Sequence, residues 1–254
     1  MVDMKSQIKD YLRDLHLPTI RSLYEDHGQK AIEESLSYEK YLYELLEREC
    51  EVRRHKKIER LLKESRLPLE KTLDSFDLKR LPRKVAHVVN SLLDGSFLER
   101  KENILSFGNP GSGKTHLLSA IGQELIRRMG KRVYFTQCSL LVQELLVAKK
   151  ELKLARVLKK FGRYDAIIID DIGYVQQDRE EMEVLFTLLA ERYERGSIML
   201  TSNLPFSQWE KIFKDPMVTA AAIDRLVHHC VVLELNIPSY RMEKAKQSRI
   251  QKGD

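Results

Sequence analysis

Residues 108–115 read Gly108-Asn109-Pro110-Gly111-Ser112-Gly113-Lys114-Thr115, a full match to the spacing G-x-x-x-x-G-K-[ST]. Glycines at these positions let successive backbone N–H groups turn inward around phosphate oxygens. A helix that starts where the loop ends aims its positive pole at the same point. Lys114 is then placed to reach the β- and γ-phosphates, and the Thr115 hydroxyl to ligate Mg²⁺. The chemistry expected here is the binding of a nucleoside triphosphate, ATP with Mg²⁺. His116, directly after the motif, is counted with the nucleotide-contacting residues as a helix-face neighbour of the loop, not as a catalyst.

A second constellation lies in DAIIIDDIGY, residues 165–174. An apolar strand that ends in Asp170 supplies the expected metal carboxylate. Asp171 follows directly and is suited to orienting or deprotonating an attacking water. Two adjacent carboxylates beside a metal favour hydrolysis over transfer to a bulky acceptor, and no acceptor pocket for a small-molecule kinase is evident. The run His228-His229-Cys230 invites a metal reading, but consecutive strand residues point to opposite faces, so the three are not expected to converge on one ion.

These residues need elements to hold them. Strand patterns fall at Ile104–Gly108, Arg132–Gln137, Ala166–Asp171, Ile198–Asn203 and Cys230–Leu235. Each gap between them is long enough for a helix, which predicts repeated βα units and a parallel sheet covered on both faces. Before residue 68 the periodicity is helical throughout. Ile8, Tyr11, Leu12 and Leu15 mark one helix ending near Pro18, and Ile20, Leu23 and Tyr24 begin a second, closed by Gly28. A long third helix follows Ser37 as N-cap. The expected division is a helical domain over 1–68 and an ATPase domain over 69–254.

Charge is segregated along the chain, whose formal net charge is +6 over 254 residues. Between 139 and 163 the apolar residues Leu141, Leu145, Ala148, Leu152, Ala155 and Leu158 read as one helical stripe. Beside it run Lys149, Lys153, Arg156, Lys160 and Arg163, a ladder suited to following a phosphate backbone without reading sequence. Arg53, Arg54, Lys56, Lys57 and Arg60 form a second cluster in the third helix. The plainer reading of both is a solvated basic face. The charged N-terminus, scattered odd cysteines and lack of a long apolar run predict a cytoplasmic chain with no membrane segment.

With one strand between the two nucleotide motifs and SIMLTSN after them, the order resembles the AAA+ class of P-loop ATPases. That resemblance implies a sheet order of 5-1-4-3-2, with Asn203 at the end of the fourth strand sensing the γ-phosphate. It implies that Arg225, in AIDRL, serves as an arginine finger toward a neighbouring subunit's ATP, against the plainer reading of an ion pair with Asp224 or another acid. Arg241 is the candidate second sensor, and no C-terminal lid is expected.

More narrowly, YLYELLERE, RRHKKIERLLKESRLP, TLDSFD, GNPGSGKTHL, RYDAIIIDDIGY, TSNLP and DRLVHHC resemble the IstB family of insertion-sequence ATP-binding proteins. The DnaC/DnaI helicase loaders are similar. The IstB resemblance implies ATP-dependent self-assembly on duplex DNA with little sequence preference, in the service of a transposase from the same element. The alternative is a replicative helicase loader. Asp171 stands where a glutamate is more usual, which bears on the rate of hydrolysis and not on ATP binding.

Overall fold

The computed structural model of the chain describes residues 3–172, 179–209, 216–240 and 242–243. The chain divides into two compact units, Met1–Arg60 and Leu61–Asp254. In the first, α1 (Met4–Asp14) and α2 (Pro18–Glu33) precede α3 (Tyr38–Ser65), whose last residues belong to the second unit. Ser37 caps α3 by accepting the Lys40 N–H at 3.2 Å.

The start of α2 is held from a distance. Leu17, at its N-cap, offers no side-chain acceptor, and Pro18 has no N–H to satisfy. The Thr19 and Ile20 N–H groups donate instead to Glu49 Oε2, at 2.8 and 3.1 Å. Arg53 holds the other Glu49 oxygen at 2.7 Å and also donates to the His16 carbonyl. Burial alone would raise the Glu49 carboxyl, but Arg53 and the two N–H groups outweigh it and hold the group below the usual range.

Gly28 does not close this helix. It continues to Glu33, although a mid-helix glycine costs about 1 kcal/mol relative to alanine. Contacts with α3 brace the turn just before Gly28: Tyr41 Oη donates to the Tyr24 carbonyl at 2.8 Å, and His27 lies 2.8 Å from the Glu44 carboxylate.

In the second unit α4 (Arg83–Leu92) and α5 (Ser96–Glu99) lead into β1 (Asn103–Gly108). Then follow α6 (Lys114–Met129), β2 (Val133–Gln137), α7 (Cys138–Lys150), α8 (Leu154–Phe161) and β3 (Ala166–Asp170). The chain continues with α9 (Arg179–Arg192), β4 (Ser197–Ser202), α10 (Pro216–Val227) and β5 (Cys230–Leu235). The five strands form one parallel sheet in the order β2-β3-β4-β1-β5, the expected arrangement read from its other edge.

Alternation along the strands sorts the two faces. Leu105, Ile167, Ile169, Ile198 and Leu200 are buried in the core cluster that includes residues of α7, α9 and α10. Ile168 points the other way, onto α6, where a side chain at Gly122 would come within 2.9 Å of it. Only a residue without Cβ lets the helix approach so closely. Among the described residues no helix is long and apolar enough to cross a membrane.

The segment expected as one helix over 139–163 is two. After Lys150 the chain turns through Leu152, at φ 57° and 95% exposed. The Lys153 N–H donates to the Ala148 carbonyl at 2.7 Å, and the Leu152 N–H to Lys149 at 3.1 Å. This paired closure is a Schellman turn, here built without glycine. It changes the phase of the pattern. Leu141, Leu145 and Ala148 are buried as expected, but Leu152 and Ala155 are exposed. Leu154, Val157, Leu158 and Phe161 take over the packing in α8.

Candidate active site

The loop between β1 and α6 curls over the C-terminal ends of the strands. Gly113, at φ 97°, forms the N-cap of α6, and a Cβ there would stand 2.8 Å from the Phe76 ring. Gly111, at φ 80°, has Ser239 where a Cβ would go, and its carbonyl accepts the Tyr240 N–H at 3.0 Å. The loop is therefore walled on both sides, and larger residues at these two positions would displace a wall as well as strain the turn.

Lys114 is 7% exposed. Its Nζ donates to the carbonyls of Gly108 and Asn109, at 2.7 and 3.0 Å, and to Asn203 Oδ1 at 2.6 Å. Asn203 Nδ2 in turn donates to Asp171 Oδ1 at 3.1 Å. The Asp171 N–H donates to Thr201 Oγ1 at 2.8 Å, and Thr201 Oγ1 donates to Asp170 Oδ1 at 2.7 Å. Thr115 Oγ1 closes the circuit onto the same Asp170 oxygen, at 2.7 Å. The result is a ring of hydrogen bonds that joins the start of α6 to the ends of β3 and β4. It exists because β4 lies between β1 and β3, so Thr201 and Asn203 fall between the loop and the two aspartates.

Asp171 is half-buried and sits in the left-handed region at φ 65°. Burial raises its carboxyl above the usual range, the neighbouring Asp170 adds to the rise, and Lys114 opposes it. A carboxylate of raised affinity for protons, beside a fixed cation, suits a group that orients or accepts a proton from water. Thr115 and Asp170 present only oxygen atoms, a donor set that fits a hard divalent cation such as Mg²⁺.

Sequence reasoning missed the outer wall. A cavity of about 190 Å³ is lined by Lys71, Phe76, Arg80, Ile237 and Tyr240 together with Gly111–His116 of the loop and helix. His116 Nε2 lies 2.9 Å from the Thr72 carbonyl and 3.2 Å from Ser75 Oγ, and its ring meets Phe76 edge-on at 5.2 Å. It shapes the cavity by holding the segment before α4. Arg80 ties the other side, donating to the Pro238 carbonyl at 3.1 Å and to Glu243 at 2.6 Å, with its guanidinium over Tyr240. TLDSFD was visible as a motif, but nothing in its spacing announced that Phe76 would face the loop.

Arg225 lies at the opposite end of the strands, the edge at which they begin. It lines a crevice with Asn103 and Ile198, at the starts of β1 and β4, and packs 4.5 Å over the Phe186 ring. The six residues of β1 put roughly 17–20 Å of strand between that edge and the loop. Arg225 and Lys114 do not meet within one chain. Among the described residues Arg225 makes no ion pair with Asp224; its Nη1 reaches the Ala221 carbonyl at 3.4 Å. Arg241 lies outside the described residues.

The cations assigned to nucleic acid divide by how they are held. Arg53 belongs to the Glu49 cap described above. Arg54, Lys56, Lys57 and Arg60 are exposed on α3. Lys149 pairs with Glu183 at 2.9 Å, Lys153 with Glu151 at 2.8 Å and Lys160 with Glu144 at 3.0 Å. Arg156 is exposed and has no ion-pair partner among the described residues. The helix break leaves Lys149 on α7, Lys153 in the turn, and Arg156 and Lys160 on α8, not on one continuous ladder.

His228 and His229 precede β5 in a turn, so strand alternation does not separate them. Their ligand-capable atoms and that of Glu194 lie within 4.8 Å of one another, and Cys230 is outside this group.

The family model described as IstB-like ATP binding protein matches residues 10–248. A protein of Sinorhizobium fredii named as an insertion sequence ATP-binding protein is 44% identical over 95% of this chain and 81% of its own length. One of Geobacillus stearothermophilus, named for insertion sequence IS5376, is 40% identical over 98% of this chain and 99% of its own. Among solved structures the DnaC helicase loader is similar at TM-score 0.55 and 18% identity, over 66% of this chain and 97% of that one. AMPPCP-bound DnaA from Aquifex aeolicus is similar at TM-score 0.57 and 20% identity, over 75% and 57%. At these identities the two structures speak for the fold.

Proposed function

The chain belongs to the family of IstB-like ATP-binding proteins, and we propose that it is an Mg²⁺-dependent ATPase switch that self-assembles on duplex DNA and helps a transposase engage its target. The observation that carries the ATPase reading is the ring through Lys114, Asn203, Asp171, Thr201, Asp170 and Thr115. It gathers a phosphate cation, a sensor amide, a water-activating carboxylate and a metal carboxylate from three separate elements.

In this reading the loop N–H groups and Lys114 hold the triphosphate, and Asn203 and Asp171 position the attacking water. Asp171 takes up its proton. Mg²⁺, held through Thr115 and Asp170, would supply neutralisation of charge on the phosphate oxygens. Arg225 cannot serve its own chain's loop, so its part is played at the ATP of a neighbouring copy. The assembled state then gains a contact that depends on the γ-phosphate, which is the differential interaction a nucleotide switch requires. The target-DNA role rests on the insertion-sequence names of the relatives and on exposed cations such as Arg54, Lys56, Lys57 and Arg156.

The test is sedimentation velocity with a random-sequence duplex, with and without ATP and Mg²⁺. Large complexes that need ATP support the switch. A monomer indifferent to duplex, yet captured by a replicative helicase, would replace it with the loader reading. Arg225→Ala is expected to bind ATP normally and to lose assembly-stimulated hydrolysis, by on the order of 10³-fold or more if the finger completes the site.

A further inference from the structure

Thr201 opens the TSNLP stretch without an assigned role there, yet it is the joint between the two carboxylates. It is 1% exposed, inside the sheet. Its hydroxyl donates to Asp170 Oδ1 at 2.7 Å while accepting the Asp171 N–H at 2.8 Å, and its carbonyl accepts the Ile172 N–H at 3.1 Å. One residue of β4 thus fixes the side chain of Asp170 and the backbone of the next two residues.

Both roles of the hydroxyl have a physical consequence. A hydroxyl has one proton to give, and the Asp171 N–H, pointing at its oxygen, leaves that proton directed at Asp170. The bond sets the rotation of the Asp170 carboxylate about its Cβ–Cγ bond. It shares Oδ1 with Thr115 and leaves Oδ2 outside this pair of bonds. The N–H bond holds Asp171 at φ 65°, a conformation that non-glycine residues rarely adopt unless their surroundings fix it. Released from Thr201, Asp171 is free to relax toward ordinary extended backbone, which moves its carboxylate away from Asn203.

We propose that Thr201 is a positioning residue for Mg²⁺ binding and water activation, acting through Asp170 and Asp171. The proposal rests on the ATPase reading above. It concerns the hydroxyl alone, because the Thr201 methyl and Cβ can be kept in Thr201→Val, which loses one donor and one acceptor.

The experiment compares the full chain with Thr201→Val and Thr201→Ser, using a fluorescent ATP analogue titrated with Mg²⁺ from an EDTA-treated start. Binding in EDTA is expected to agree among all three within about 3-fold, which also shows that the variants fold. In Thr201→Val the Mg²⁺ concentration giving the half-maximal response should rise roughly 10-fold, and kcat should fall by 10- to 100-fold with little change in the KM for ATP. Thr201→Ser should restore both.

An unchanged Mg²⁺ midpoint and kcat in Thr201→Val would make the residue a core filler and overturn the proposal. So would Thr201→Ser behaving like Thr201→Val, which would assign the effect to shape. If Thr201→Val does not fold, Thr201→Ala carries the same comparison. A wild-type chain that binds the analogue but hydrolyses no ATP even with duplex DNA present removes the ATPase reading and leaves the Mg²⁺ midpoint to decide on Thr201. A wild-type chain that binds no analogue overturns both.

Discussion

The Lys114 ring and the basic face of α7–α8 both gather charged side chains, but they are held in different ways. In the ring, partners are shared: Asp170 Oδ1 accepts two hydroxyls and Asn203 serves both Lys114 and Asp171. On the basic helices each ion pair joins one cation to one carboxylate at a partly or fully exposed position, as in Lys153 with Glu151 or Lys160 with Glu144. Shared, buried bonds fix one geometry, because moving any member strands another. Private surface pairs contribute about 0–1 kcal/mol and exchange freely with water or phosphate. The first arrangement suits chemistry at fixed atoms. The second suits a polyanion gripped in many registers.

This contrast has consequences of decreasing size. Lys114→Ala should lower triphosphate affinity or turnover by at least about 10²-fold, as loss of a charge-assisted phosphate contact does in a pre-organised site. Isothermal titration and single-turnover kinetics would show it. If the ring acts as a unit, Asp171→Asn and Asn203→Ala should be strongly non-additive, with the double variant little slower than the slower single one. Additive losses would break the comparison.

The Glu49 cap of α2, in the first unit, behaves like the ring: a carboxylate with little exposure shared by Arg53 and two backbone N–H groups. Glu49→Gln should cost about 1–2 kcal/mol, read as lost hydrogen-exchange protection at the Thr19 and Ile20 amides. The sign of its pH dependence follows from a carboxyl held low in the fold. The stabilisation is present at neutral pH and above the ordinary glutamate value of 4.5, and fades as acid protonates Glu49 at its depressed value. Smallest of all, Arg156→Ala should flatten the log–log salt dependence of DNA binding by about 0.9, the share of one phosphate contact. Lys153→Ala should change it less, since Glu151 already competes for that ammonium.

What could be read from the residues follows the same division. The five strands were legible because continuous apolar runs of Ile, Val and Leu bounded by turns have few other uses, and Cys230–Leu235 has the bounds expected of it; their order came from the resemblance to AAA+ ATPases and not from the runs. Loop, helix and aspartates were legible because phosphate chemistry fixes their spacing. Thr201 and Phe76 were not, since each acts through residues distant in sequence and neither has a required spacing to its partners. The continuity of 139–163 was misread because a Schellman turn usually advertises itself with glycine, and here Leu152 takes the left-handed position. Gly28 was misread in the opposite sense: a glycine permits a stop, but contacts with the next helix decide whether one occurs.

The strand order also imposes a schedule on synthesis. β1 pairs only with β4 and β5, both of which come late in the chain, so it leaves the ribosome long before either neighbour exists. Until Ser197–Ser202 has emerged, β1 remains an unpaired edge, and the phosphate loop that follows it has no sheet to hang from. The earlier pair β2–β3 is likewise left with β3 open on one side. Nascent chains are therefore expected to carry unpaired strand edges until β4 is made, with the sheet closing in that late step. ATP cannot rescue a partly made chain, because its binding site comes into being only with that step.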